Sequence, residues 1–286
     1  MLWMGFSVHA QEPAAVKTVE YPEGYTQQLN VVYVKVKDWE GKMDLYLPSR
    51  EKGMSPVVIN IHGGGWNKGS KETQSGFSSF FKKGYAVANI GYRLSQIAPA
   101  PAAVEDTRCA LIYLIKNAEK LNIDVNKIVI MGGSAGGHLA LMGGLLANNH
   151  LFDANCGGSE NIKVAAIIDK YGITDLWDWA YGPNLTSKSA TQWLGDNAKN
   201  EAFAKSVSPL TYVRKDSPPT FIVHGDADPI VPYQQSQALY KKLQDAGVKS
   251  EFLTIPGGLH GKFPNEENSR LNARIMAFLA EVGVHK

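Results

Sequence analysis

Cysteine is scarce in this chain: Cys109 and Cys156 are the only two in 286 residues, so at most one disulfide can form. Long apolar runs are missing. None reaches the roughly 18 residues that a membrane-spanning helix needs. Charge of one sign is missing too. Lys and Arg number 29 against 27 for Asp and Glu, for a net charge of +2. No strong field favours nucleic acid or an acidic membrane. Low-complexity tracts and internal repeats are not found. The metal-site pattern H-E-x-x-H, the Gly-Lys-Ser/Thr of phosphate loops and G-x-G-x-x-G are all absent. What remains is 44% hydrophobic and 20% charged residues, ordinary globular composition with enough chain for a large core. A single domain over residues 11–286 is the expectation, because folds of this size often stay undivided.

Residues 1–10 read MLWMGFSVHA, apolar and then small. Val8-His9-Ala10 fits a signal-peptidase site, and the first basic residue is Lys17. The segment reads as the tail end of a secretory signal, and the protein as secreted or periplasmic. No cysteine follows Ala10 at once, so no lipid anchor is expected. In an exported chain Cys109 and Cys156 could pair; equally, both could stay as thiols.

Further on, the pattern alternates strands and helices. Residues 31–47 alternate apolar and polar about Trp39-Glu40-Gly41 and predict a hairpin. Short apolar runs at 56–61, 85–90, 127–131, 163–168, 219–223 and 251–255 predict strands covered on both faces. Helices are expected over 71–83, 102–121, 137–147, 233–246 and 269–282. That cadence predicts an α/β fold with a mostly parallel sheet wrapped by helices on both faces. Residues 175–210, rich in Trp, Tyr, Gly and Asn, break the cadence and predict a small insertion over the site.

Four segments carry chemistry. Gly132-Gly133-Ser134-Ala135-Gly136 follows a predicted strand and opens a predicted helix. This is the context of a nucleophile elbow, a turn tight enough to strain its serine and expose the hydroxyl. His62-Gly63-Gly64-Gly65-Trp66 follows an earlier strand. Its glycines can aim backbone N–H groups into a site. The N–H groups of Gly64, Gly65 and Ala135 are therefore the candidate oxyanion donors, and His62 is read as structural. A third segment, His224 to Pro232, ends a late strand and offers Asp228 as the acid, with Asp226 in reserve. The order Ser, Asp, His then leaves His260 and His285. His285 is penultimate, so His260 is the candidate base.

Together HGGGW at 62–66, GYRLS at 91–95, GGSAGGH at 132–138, HGDADPIVP at 224–232 and GGLHG at 257–261 resemble the hormone-sensitive-lipase-like branch of the α/β-hydrolases. Within it the chain is most similar to small bacterial feruloyl and acetyl-xylan esterases. The resemblance covers roughly residues 30–285. It implies an α/β-hydrolase fold and a serine carboxylesterase working through an acyl-enzyme. Ser134, His260 and Asp228 are its implied catalytic residues, and it implies no cofactor and no metal. The implied partner is a small-molecule or carbohydrate ester, with no nucleic acid and no membrane anchor. Oligomeric state is not readable. Trp66, Trp177 and Trp179, with Tyr181 and Trp193, are candidates for lining the acyl or sugar side; core packing is the rival use of such rings. Two rival functions stand beside the esterase: an arylformamidase-like amidase, and an inactive binding module on a hydrolase scaffold. The sequence departs from many relatives in having only about 30 residues before its first strand, which leaves little room for a helical N-terminal cap.

Overall fold

A computed structural model describes residues 16–158 and 160–286. The segment 1–10, read above as a signal remnant, lies outside the described residues. Strands β1 (Tyr25–Val36) and β2 (Trp39–Pro48) form an antiparallel hairpin. Its turn is Lys37-Asp38 rather than Trp39-Glu40-Gly41, because Val36 already pairs with Trp39 and Lys37 adopts a φ of 53°. Six more strands follow: β3 (Ser55–Ile61), β4 (Ala86–Ile90), β5 (Ile123–Gly133), β6 (Ala166–Lys170), β7 (Thr220–Gly225) and β8 (Ser250–Ile255). They form one 8-stranded sheet in the order β1-β2-β4-β3-β5-β6-β7-β8. From β4 to β8 every neighbouring pair is parallel.

The apolar runs form strands because both faces of the sheet are covered. Val57, Ile59 and Ile61 of β3 point into one core and Val58 into the other. Helices α1 (Ser78–Lys82), α2 (Ala102–Lys116), α3 (Ala118–Leu121) and α4 (Ala135–Leu145) come first in the chain. Three short helices, α5 (Leu176–Tyr181), α6 (Lys188–Leu194) and α7 (Glu201–Ser206), fill the insertion between β6 and β7. The long helices α8 (Tyr233–Asp245) and α9 (Asn265–Glu281) close the chain. Helices α2, α4 and α8 pack on one face, and α1 and α9 on the other. Among the described residues no helix is long and apolar enough to cross a membrane.

The helix expected over 71–83 is broken. Only a 3-10 turn at Lys71–Thr73 and α1 form. The Lys71 ammonium is drawn into a buried ion pair with Asp44 at 2.8 Å, and a loop containing Gly76 separates the two pieces. Cys109 of α2 and Cys156, in the loop after α4, are joined by a disulfide. The insertion is no loose flap. Leu176, Trp179, Trp193, Leu194 and Ala204 are all buried in the main core. Its root is held by Gln235 of α8, whose Oε1 accepts from the main-chain N–H groups of Thr174 and Asp175 at 2.8 Å each.

Candidate active site

The C-terminal ends of β3, β5 and β6, with the loops that follow β7 and β8, border one cavity of about 570 Å³. Ser134 stands where β5 turns into α4, with φ 57° and ψ −124°. This is a strained conformation for a residue with a side chain, held in place by the strand on one side and the helix on the other. The turn depends on missing side chains. A Cβ on Gly136 would run into the Ile61 carbonyl oxygen, and one on Gly132 into the Gly136 carbonyl oxygen. The start of α4 also leaves its first N–H groups without intrahelical acceptors, beside the serine.

Three side chains from separate loops meet in a relay. His260 Nε2 lies 2.8 Å from Ser134 Oγ, and His260 Nδ1 lies 2.7 Å from Asp228 Oδ2. A carboxylate can only accept, so Nδ1 of His260 carries the proton and Nε2 accepts from the serine hydroxyl. The Asp228 side chain is fully buried and that of His260 is 16% exposed. Burial alone would raise the Asp228 carboxyl. Hydrogen bonds from His224 and His260, joined by the Ile230 N–H, overcome it and hold the group well below the usual carboxylate range. Its other oxygen, Oδ1, accepts from Ile230 N at 2.8 Å and Val231 N at 3.0 Å. Asp226, the reserve acid, is exposed and accepts from Gly257 N at 2.6 Å, outside the relay.

Two residues of this site were not singled out from the sequence. His224 is fully buried, and its Nε2 is 3.1 Å from both Asp228 Oδ2 and the Val231 carbonyl. The carbonyl accepts only, so Nε2 is the protonated nitrogen. Ser236 then donates to Nδ1 at 2.7 Å. His224 thus braces the acid from behind. Its position at the end of a strand, four residues before Asp228, was the available signal. Tyr171 is the second, in a left-handed conformation at φ 45°. Its ring meets that of His260 edge-on at 4.9 Å and limits where the imidazole can swing. Nothing in the sequence marks its conformation.

The glycine loop after β3 forms the opposite wall. Gly63, Gly64 and Gly65 all line the cavity with Ser134 and His260. Gly64 has φ 118°, and a Cβ there would strike the Lys68 carbonyl oxygen. Ala135, the other candidate donor, is the first residue of α4 and is fully buried. His62 is structural: burial lowers its pKa to about 4, Nδ1 lies 2.8 Å from the Gly63 carbonyl, and the ring stacks on Tyr92.

The tryptophans divide. Trp179 of α5 lines the cavity and donates from Nε1 to the Ile230 carbonyl at 3.2 Å. Trp66 does not face substrate space. It is 0% exposed and stacks on Trp193, also 0% exposed, with ring centroids 4.4 Å apart. The pair welds the glycine loop to α6, because two indoles gain more from burial against each other than from solvent. Trp177 is half-buried, packs on Tyr181 and lies outside the cavity wall.

The sheet order, the elbow and the serine-imidazole-carboxylate relay define an α/β-hydrolase. Within that class the chain belongs to the BD-FAE family, whose sequence profile matches residues 43–243. An acetyl esterase of Salmonella dublin is 30% identical over 233 residues, covering 77% of this chain and 69% of that protein. Esterase LipQ of Mycobacterium tuberculosis is 29% identical over 211 residues, 72% of this chain and 50% of LipQ. The chain spans about half the length of the curated mycobacterial relatives it matches. Among solved structures, a truncated carbohydrate esterase from gut microbiota superposes with a TM-score of 0.75 at 29% identity, covering 90% of this chain and 98% of that one.

Proposed function

We propose that the protein is a serine carboxylesterase, acting on acetyl or feruloyl esters of plant polysaccharide. The Ser134–His260–Asp228 relay carries this reading, because each proton sits where acyl transfer requires it. His260 takes the proton of Ser134 as Oγ attacks the ester carbonyl. The new oxyanion is held by the N–H groups of Gly64, Gly65 and Ala135. The C–O bond to the alcohol breaks, and His260 returns the proton to the departing oxygen. Water then attacks the acyl-enzyme by the same path and releases the acid. Asp228 keeps the imidazole in the Nδ1–H tautomer and stabilises it while it is charged.

Relatives named as esterases, and a structural neighbour named as a carbohydrate esterase, support the ester and the sugar parts of the proposal. Export is part of the same proposal. The Cys109–Cys156 disulfide suits an oxidising compartment, as does a signal-like N-terminus. The test is release of acetate and ferulate from acetylated, feruloylated arabinoxylan, with Ser134→Ala as blank. Acid released only by the intact protein is the expected result, and the acid names the ester class. If neither acid appears, the polysaccharide substrate is wrong, and small esters or formamides take its place.

A further inference from the structure

The cavity wall carries charge of one sign. Lys170 and Lys68 line it with the neutral side chains of Asn60, Asn67, Gln74 and Ser189. Among the described residues no aspartate or glutamate lines it. The carboxylate nearest the chemistry, Asp228, lies behind His260 and is taken up by two imidazoles. Lys170 is the better placed of the two lysines. It ends β6 and pairs in register with Gly133, and its carbonyl accepts from Ser134 N at 2.9 Å. It therefore sits one strand from the nucleophile. Successive side chains of a strand leave on opposite faces. Asp169 lies against Gly137 at the start of α4, so Lys170 is turned away from it.

Lys68 is exposed, but Lys170 is partly buried and has no ion-pair or hydrogen-bond partner for its ammonium among the described residues. Burial is the sole cause that moves its pKa, lowered to about 8, so the group is mostly charged at neutral pH. A partly buried cation with no counter-ion is costly, and an anion arriving in the cavity offsets that cost. None of the proposed ester chemistry uses this charge.

We propose that Lys170 makes the cavity selective for esters whose substrate also bears a carboxylate. The proposal rests on ester hydrolysis at Ser134. The carboxylate could come from the acyl side, as in a half-ester of a dicarboxylic acid, or from the alcohol side, as in a uronic-acid sugar next to the esterified one. Two matched pairs separate these sources. The first is 4-nitrophenyl acetate against mono-4-nitrophenyl succinate. The second is an acetylated neutral xylo-oligosaccharide against one with a glucuronic acid branch. In the unaltered protein kcat/KM should favour the charged member of one pair, and that pair identifies the source. Lys170→Met should cut the charged-to-neutral ratio about tenfold, chiefly through KM, as expected for one lost ion pair near a surface cavity. Lys170→Arg should restore most of it. The preference should weaken in about 0.5 M salt and as pH rises through 8, where the ammonium loses its proton. Calorimetric binding of succinate and glucuronate to Ser134→Ala, with and without Lys170→Met, reads the same contact without turnover. Loss of acid binding on removing Lys170 sustains the carboxylate site at Lys170 even if the ester chemistry is wrong. A ratio that Lys170→Met leaves unchanged, or acid binding indifferent to it, overturns the proposal.

Discussion

Replacing Asp228 by Asn keeps the shape of the side chain and changes one atom. The carboxylate accepts four hydrogen bonds: two from imidazoles at Oδ2 and two from main-chain N–H groups at Oδ1. An amide has one accepting oxygen and one NH₂ that cannot accept. Whichever way Asn turns, one pair of donors faces another donor. The rigid Ile230–Val231 backbone cannot give way, so the oxygen takes that side and the NH₂ meets His260 Nδ1. The imidazole must then move its proton to Nε2, where it can no longer accept from Ser134. The wrong tautomer lowers kcat by about 10⁴ in serine proteases, and the same loss is expected here. Asp226→Asn is the control. It weakens one hydrogen bond, to Gly257 N at an exposed site outside the relay, worth about 1 kcal/mol of local stability, and should leave kcat nearly unchanged. The assay is steady-state hydrolysis of 4-nitrophenyl acetate, with circular dichroism to confirm that each variant folds. Equal losses in the two variants, or Asp228→Asn within tenfold of the parent, would refute the tautomer argument.

Gly64→Ala should cost at least about a hundredfold in kcat, since a Cβ there displaces the loop that carries a proposed oxyanion donor; single-turnover acylation checks it. Breaking the Cys109–Cys156 bond, which closes a separation of 47 residues, should lower unfolding stability by about 4 kcal/mol, read by denaturation with and without reductant. Burial raises the Asp169 carboxyl to about 7 in the folded chain, against about 4 when unfolded, so folding favours its protonated form. Stability should therefore be full below pH about 4 and fall, by up to about 4 kcal/mol, as pH rises through 7; the decline should flatten in thermal melts of Asp169→Asn.

The strands were legible because a sheet covered on both faces writes itself as short apolar runs. The long helices were legible because each buries one stripe. Where the reading missed, a specific contact won over periodicity. The Lys71–Asp44 ion pair stops a helix that spacing favoured, and Lys37 in a left-handed conformation moves the hairpin turn by two residues. The Ser134, Asp228 and His260 positions could be picked out because chain order and strand ends restrict them. Trp66 could not be separated from Trp179 on sequence grounds. Both follow glycine-rich or polar stretches and both are buried; only the fold puts Trp66 against Trp193 and Trp179 at the cavity wall. His224 and Tyr171 act through other residues, and such support is a property of three-dimensional neighbourhood.

The helical insertion α5–α7, between β6 and β7, bears on how this scaffold can change. It supplies Trp179 and Ser189 to the cavity but none of the three relay side chains. Its root is clamped by Gln235, and its apolar side chains anchor in the core. Exchange of its cavity-facing residues should therefore alter which molecule is admitted while leaving Ser134, His260 and Asp228 in place. Under the proposed function, recognition and reactivity would sit on separately replaceable parts of the chain, so new specificities could be selected at this helical segment while the chemistry stays constant.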